Sequence, residues 1–174
     1  MSPALGPYAF LPDLTDFMIH GDTAILAAAA ALPVDEYMRP FPVSHGSLHN
    51  ALVHAMAAQH IWLVRLQSNG SVNPARIEDP TDFPTRESLQ TRWPLIHGAL
   101  RSFVNAQTAD TLAAPLTCRN SQGTPSTLPL GQFLLHVTDH GTYHRGQQNT
   151  LLKLAGGRPI RLSFYEWRLK NPIA

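Results

Sequence analysis

Between Phe133 and Leu152 the chain reads FLLHVTDHGTYHRGQQNTLL, an amphipathic helical pattern whose inward stripe turns polar midway. At about 100° per residue, Phe133, Val137, His140, His144, Gln147 and Leu151 share one face. A helix buries such a face, so two histidines and a glutamine stand where Leu or Val would be expected. Leaving buried polar groups without partners costs about 1–3 kcal/mol each. A compensating partner is therefore required, and a metal ion is the simplest.

The rest of the chain narrows the setting. Its 174 residues suit a single domain, 1–174, with a sizeable core. Apolar residues make up 44% and charged residues 14%, a globular rather than disordered composition. The formal net charge of +1, without a basic cluster, offers no footprint for nucleic acid or an anionic membrane. A lone cysteine, Cys118, excludes an intrachain disulfide and suits a reducing, cytoplasmic setting. The alanine-rich run after Asp22 is too short to span a bilayer, and the N-terminus does not resemble a signal peptide.

Four helical stretches are separated by Pro- and Gly-rich punctuation. The first covers about Asp13 to Leu32, rich in Ala and Leu and stopped by Pro33. The second starts at an N-cap, Ser44 or Ser47, and runs to about Gln67. A long loop over 69–84 leads to the third, which opens at Thr85 and ends near Gln107, with Pro94 as an irregularity. Residues 115–128 change period and read as a small β-hairpin. The fourth helix follows, with Thr127 or Leu128 as its cap and Pro129 in its first turn, and ends at Gly156-Gly157. The aromatic tail holding Phe164, Tyr165 and Trp167 is expected to pack on the helices or on a second subunit. The fold class is all-α: an antiparallel four-helix bundle with a hairpin between helices three and four.

The nine histidines carry most of the functional information. His140 and His144 are four apart and project from one face, the spacing by which a helix chelates a metal. His136 extends the row by a turn. One ion cannot hold all three, because the outer two lie about 12 Å apart along the axis. Either His136–His140 or His140–His144 is the pair. In helix two, His54 shares a face with Ala51, Ala58 and Ile61 and points inward; His49 and His60 point the other way, to solvent or an interface. His20 and His97 are read as surface or capping residues, and His45 falls outside any helical argument. Three neutral imidazoles suit Zn²⁺, Ni²⁺ or another borderline divalent ion, with positions left for water or substrate. Such an ion lowers the pKa of a bound water or thiol and makes a nucleophile at neutral pH. Gln147 can orient a ligand from behind. Arg145 belongs to a surface or interhelix ion pair, Trp62 to packing between helices, and Gly141 to a close helix approach.

Two segments together resemble the DinB/YfiT-like metalloenzyme family. Ser47-Leu48-His49-Asn50-Ala51-Leu52-Val53-His54, with Ile61-Trp62-Leu63 beyond it, is similar to that family's second-helix signature. His140-Gly141-Thr142-Tyr143-His144-Arg145-Gly146-Gln147 is similar to its fourth-helix signature, the more specific of the two. Arg119-Asn120-Ser121-Gln122-Gly123 resembles its hairpin. The likeness implies a four-helix bundle, often a homodimer, and a metal site at His54, His140 and His144, with His136 a bystander. It also implies a small-molecule substrate and a low-molecular-weight thiol as co-substrate, since relatives include thiol-dependent transferases and a mycothiol-dependent isomerase. The expected function is a metal-dependent enzyme that activates a thiol or water for transfer to a small electrophile. The alternative is a non-catalytic, damage-inducible protein that binds a metal or small molecule.

Overall fold

A computed structural model of the protein describes residues 6–74, 80–120 and 122–172. Within them the chain forms a 3₁₀ turn at Gly6–Tyr8, seven α-helices and two β-strands. Four helices are long: α1 (Leu11–Ala30), α3 (Leu48–Gln67), α4 (Arg86–Asn105) and α6 (Leu130–Leu154). Three are short: α2 (Val34–Met38), α5 (Ala109–Ala113) and α7 (Phe164–Lys170). The fold is mostly helical, with one small antiparallel sheet of β1 (Pro115–Arg119) and β2 (Pro125–Pro129). The long helices touch in cyclic order, α1 on α6, α6 on α3, α3 on α4 and α4 on α1.

Local chemistry sets most of the helix starts. Ser47 accepts the Asn50 N–H at 3.1 Å and opens α3, and Thr85 accepts the Ser88 N–H at 3.3 Å and opens α4. Pro94 lies inside α4 on its exposed side without ending it. The expected cap of the fourth helix is corrected: α6 has no side-chain cap. Thr127 instead bonds Thr117 across the hairpin at 2.8 Å, and the Leu130 N–H donates to the Ala114 carbonyl at 3.1 Å. The sheet therefore satisfies an amide that a capping hydroxyl would otherwise take. Gly156 ends the helix as expected, at φ +82°, which favours glycine. The short helices α2 and α5 lie outside the four-stretch reading, because one turn carries no periodic signal. Two of the three tail aromatics pack on the helices, Phe164 and Trp167 lying against Phe17 of α1 at 5.4 and 5.7 Å between ring centroids, whereas Tyr165 is exposed.

Two apolar clusters form the core. One gathers Ile25, Leu52, Met56, Trp93 and Leu151; the other gathers Met18, Leu63, Leu100, Phe133 and Val137. Each long helix places a buried polar residue between the two clusters, Asp22 on α1, Gln59 on α3, His97 on α4 and Arg145 on α6, which inserts a polar layer between them. Asp22, 1% exposed, receives the Arg145 guanidinium at 3.2 Å, Gln59 Nε2 at 2.7 Å and His97 Nε2 at 3.3 Å. Gln59 in turn accepts the Trp93 indole N–H at 2.8 Å. Arg145 thus fulfils the interhelix pairing expected of it. His97, in contrast, is a buried partner of Asp22 rather than a surface or capping residue: α4 turns it towards the only carboxylate placed in this layer among the described residues. The guanidinium needs room. A Cβ on Gly21 would stand 2.7 Å from Arg145 Cδ, and one on Gly141 2.9 Å from Met18 Sδ.

A buried pair that loses one partner strands the other charge. Asp22→Ala should lower unfolding free energy by about 3–5 kcal/mol in urea titration, and Asp22→Leu with Arg145→Met by clearly less. A loss under about 1 kcal/mol for Asp22→Ala would show that the pair does not bind the layer together.

Candidate metal centre

On α6, one turn separates His140 from His144, and their Nε2 atoms meet at 3.0 Å. Two nitrogens each about 2.0–2.1 Å from one ion stand roughly 2.9–3.4 Å apart for ligand angles of about 90–109°. The helix spacing alone therefore delivers a chelating pair. α3 faces it with His54, whose ring centroid lies 4.6 Å from His144 and 5.8 Å from His140. The three histidines singled out from sequence are thus brought into one cluster.

A fourth imidazole joins them. His45 sits in the loop between α2 and α3, two residues before the Ser47 cap, with φ at 62°. Its ring stacks on His54 at 4.2 Å and lies 5.3 Å from His144. One ligand nitrogen from each of His45, His54 and His144 falls within 4.8 Å of the others, a set in which the loop histidine stands where His140 was expected. Sequence reasoning missed His45 because helical periodicity says nothing about a loop residue; its only signal was closeness to the start of the helix bearing His54.

The other histidines stay outside. His136 is exposed, edge-on to Trp62 at 5.0 Å, and its ring is 5.9 Å from His140. His20 is exposed, as expected. His49 is a correction: it is 3% exposed rather than solvated, its Nδ1 bonded to the Tyr37 hydroxyl at 2.9 Å. The short helix α2, which covers that side of α3, accounts for the burial. Trp62 packs on Phe133 at 5.5 Å, the interhelix role expected of it.

Burial and mutual repulsion keep the cluster neutral. Desolvation first, then His45 and His144, hold His54 at about 4. Desolvation, then His144, His54, His136 and His45, hold His140 at about 4. His45 and His144 are also pushed below the ordinary histidine value, chiefly by burial. Neutral imidazoles keep a free lone pair, the form a metal ion requires. Two orphaned atoms support the fit. His144 Nδ1 and Gln147 Oε1 are buried without a hydrogen bond of normal geometry, and the two side chains interact with each other. A ligating histidine holds its second nitrogen on such an acceptor.

Beside the cluster lies a cavity of about 350 Å³, lined by His45, Asn50, Val53, His54, Ala57, Ala58, Ile61 and Pro80. Its wall is mostly apolar, and the described residues that line it carry no formal charge.

The depressed values fix a pH dependence. A histidine whose native pKa lies below its unfolded value binds fewer protons when folded, so its contribution is present above about 6.5 and is lost as the pH falls towards about 4. Imidazole NMR titration of metal-free protein should find His54 and His140 titrating well below pH 5.5, with the urea midpoint falling over the same window. Titration of both near 6.5 would contradict this electrostatic picture.

No curated protein matches the chain. The family model described as the DinB family matches residues 16–170, a span holding α3, α6, the hairpin and every histidine of the cluster. The chain belongs to the DinB family.

Proposed function

We propose that the protein is a metal-dependent enzyme in which His54, His140 and His144 hold one divalent ion, zinc or nickel, beside a small-molecule pocket. The observation that carries this reading is the neutral imidazole cluster next to a cavity of about 350 Å³. Four polar rings within one helical interface are costly unless something shared compensates them. When bound, the ion supplies the Lewis acidity that makes a thiol or water nucleophilic at neutral pH.

The chain's own residues divide the remaining work. His140 and His144 set the chelating angle from one rigid helix, and His54 closes the triangle from α3. Gln147, whose side chain interacts with His144, would accept its Nδ1–H and hold the tautomer that leaves Nε2 for the ion. The apolar cavity wall of Val53, Ala57, Ala58 and Ile61 offers a surface for a compact electrophile. The nucleophilic sulfur or oxygen forms a bond to the electrophilic carbon, the leaving group departs with the bonding pair, and the proton passes to solvent. The same reading takes the four long helices as an antiparallel bundle, supported by their cyclic contacts, and the protein as a cytoplasmic homodimer acting on a small molecule with a low-molecular-weight thiol as co-substrate.

One observation favours a second reading, a non-catalytic metal- or small-molecule-binding protein. His45 brings a further imidazole within reach of His54 and His144, and a tetrahedral ion held by four protein ligands would have no position left for substrate.

Metal analysis of the purified protein should give one ion per chain, and His54→Ala, His140→Ala and His144→Ala should each lose it on dialysis. Gln147→Leu should keep the ion but weaken its binding by about 10–100-fold. Assays against a panel of thiols and electrophiles should show turnover that vanishes with chelation and returns with metal. Stoichiometric metal without turnover across the panel would favour the second reading.

A further inference from the structure

His45 and His54 line the cavity wall, whereas His140 and His144 do not. His45 is also the one member of the cluster carried by a loop; His54, His140 and His144 stand on twenty- and twenty-five-residue helices. Its backbone is left-handed at φ 62°, a conformation that costs a non-glycine residue about 1–2 kcal/mol. Two short backbone bonds hold the turn around it, Phe41 N–H to the Gly46 carbonyl at 2.6 Å and Gly46 N–H to the Val43 carbonyl at 2.9 Å. That turn aims the imidazole at His54 and His144 rather than out to solvent. A strained residue kept in place at a cluster of donor atoms points to a role for its side chain.

We propose that His45 supplies a fourth imidazole to the ion held by His54, His140 and His144, and that it is the ligand that yields when a molecule enters from the cavity. The proposal rests on the metal reading above. It accounts for both features that divide the two functional readings. With His45 bound, a tetrahedral ion would have no free position; with His45 displaced, a position would open for a ligand from the cavity. Displacement asks only the loop to move. Removing any helix-borne histidine would require α3 or α6 to shift against a packed core. The incoming ligand takes the place of a neutral imidazole, so the site suits a small anionic or thiolate donor attached to a compact apolar body. The apolar side chains of Val53, Ala57, Ala58 and Ile61 on the cavity wall fit that body.

The test uses full-length protein loaded with Co²⁺, which occupies nitrogen sites and reports on them. Proton NMR of the Co²⁺ protein counts ligating imidazoles by their hyperfine-shifted, exchangeable N–H signals. Wild type should show four such signals and His45→Ala three. The variant should still bind one Co²⁺ per chain, with affinity reduced by about 10–100-fold, and its visible spectrum should respond to azide at concentrations at least tenfold lower than wild type needs. His45→Gln should behave as His45→Ala in the signal count, which separates ligation from loop packing. Three signals in wild type that persist in His45→Ala, with unchanged azide response, would overturn the proposal while leaving the three-histidine site intact. Three signals in wild type that persist in His140→Ala but fall to two in His45→Ala would also overturn it, because His45 would then replace His140 rather than join it. Failure of wild type to bind Co²⁺ would defeat the metal reading itself.

Discussion

The rotation of α6 about its own axis is the constraint on which the candidate centre depends. His144 and Arg145 are neighbours in sequence and about 100° apart around the helix. One faces the imidazole cluster, and the other reaches the buried carboxylate of Asp22 on α1. The ion pair is almost wholly shielded from solvent, at 4% and 1% side-chain exposure, so turning α6 away would strand a charge in the core. Gln59, His97 and Trp93 extend the same contact to α3 and α4. Gly21 and Gly141 keep the space around the guanidinium open. With Arg145 held, His140 and His144 have no direction to face except α3 and its His54.

This arrangement separates stability from chemistry within one layer of the protein. Asp22, Gln59, His97 and Arg145 satisfy one another, so their burial is compensated by hydrogen bonds and charge. The imidazole cluster is not compensated in the same way. Its rings crowd together, repel protons from one another, and leave His144 Nδ1 and Gln147 Oε1 without normal partners. The network around Asp22 is satisfied, whereas on the side of α6 that faces α3 His144 Nδ1, Gln147 Oε1 and Gln148 Oε1 are buried without normal partners. The adjoining cavity is where an ion held by the cluster would meet a second molecule.

Much of this was legible in the sequence, for identifiable reasons. Helical periodicity placed His140 and His144 on one face and turned His54 inward, because a rigid element converts spacing into direction; the family resemblance, not the spacing, set His136 aside. The Ser47 and Thr85 caps, the hairpin and Gly156 were readable because each depends on a few adjacent residues. The losses share another cause. His45 and the short helix α2 belong to a connection with no period, so neither the fourth imidazole nor the cover over His49 could be derived. His97 and Asp22 lie seventy-five residues apart, and their pairing exists only once α1 and α4 are packed. Thr127 was a sound cap candidate by composition, yet the hairpin claimed its hydroxyl. Long-range partnership, rather than local propensity, decided each of these.

The central claim is that the imidazole cluster is a metal centre and not a buried polar accident. X-ray absorption at the metal edge of the purified protein tests it most directly. The account predicts a first shell of nitrogen and oxygen at about 2.0–2.1 Å, with the outer-shell scattering of at least three imidazole rings. That scattering should be lost in His144→Ala. A protein that holds no metal after supplementation, or holds it with a first shell lacking imidazole, would contradict the account.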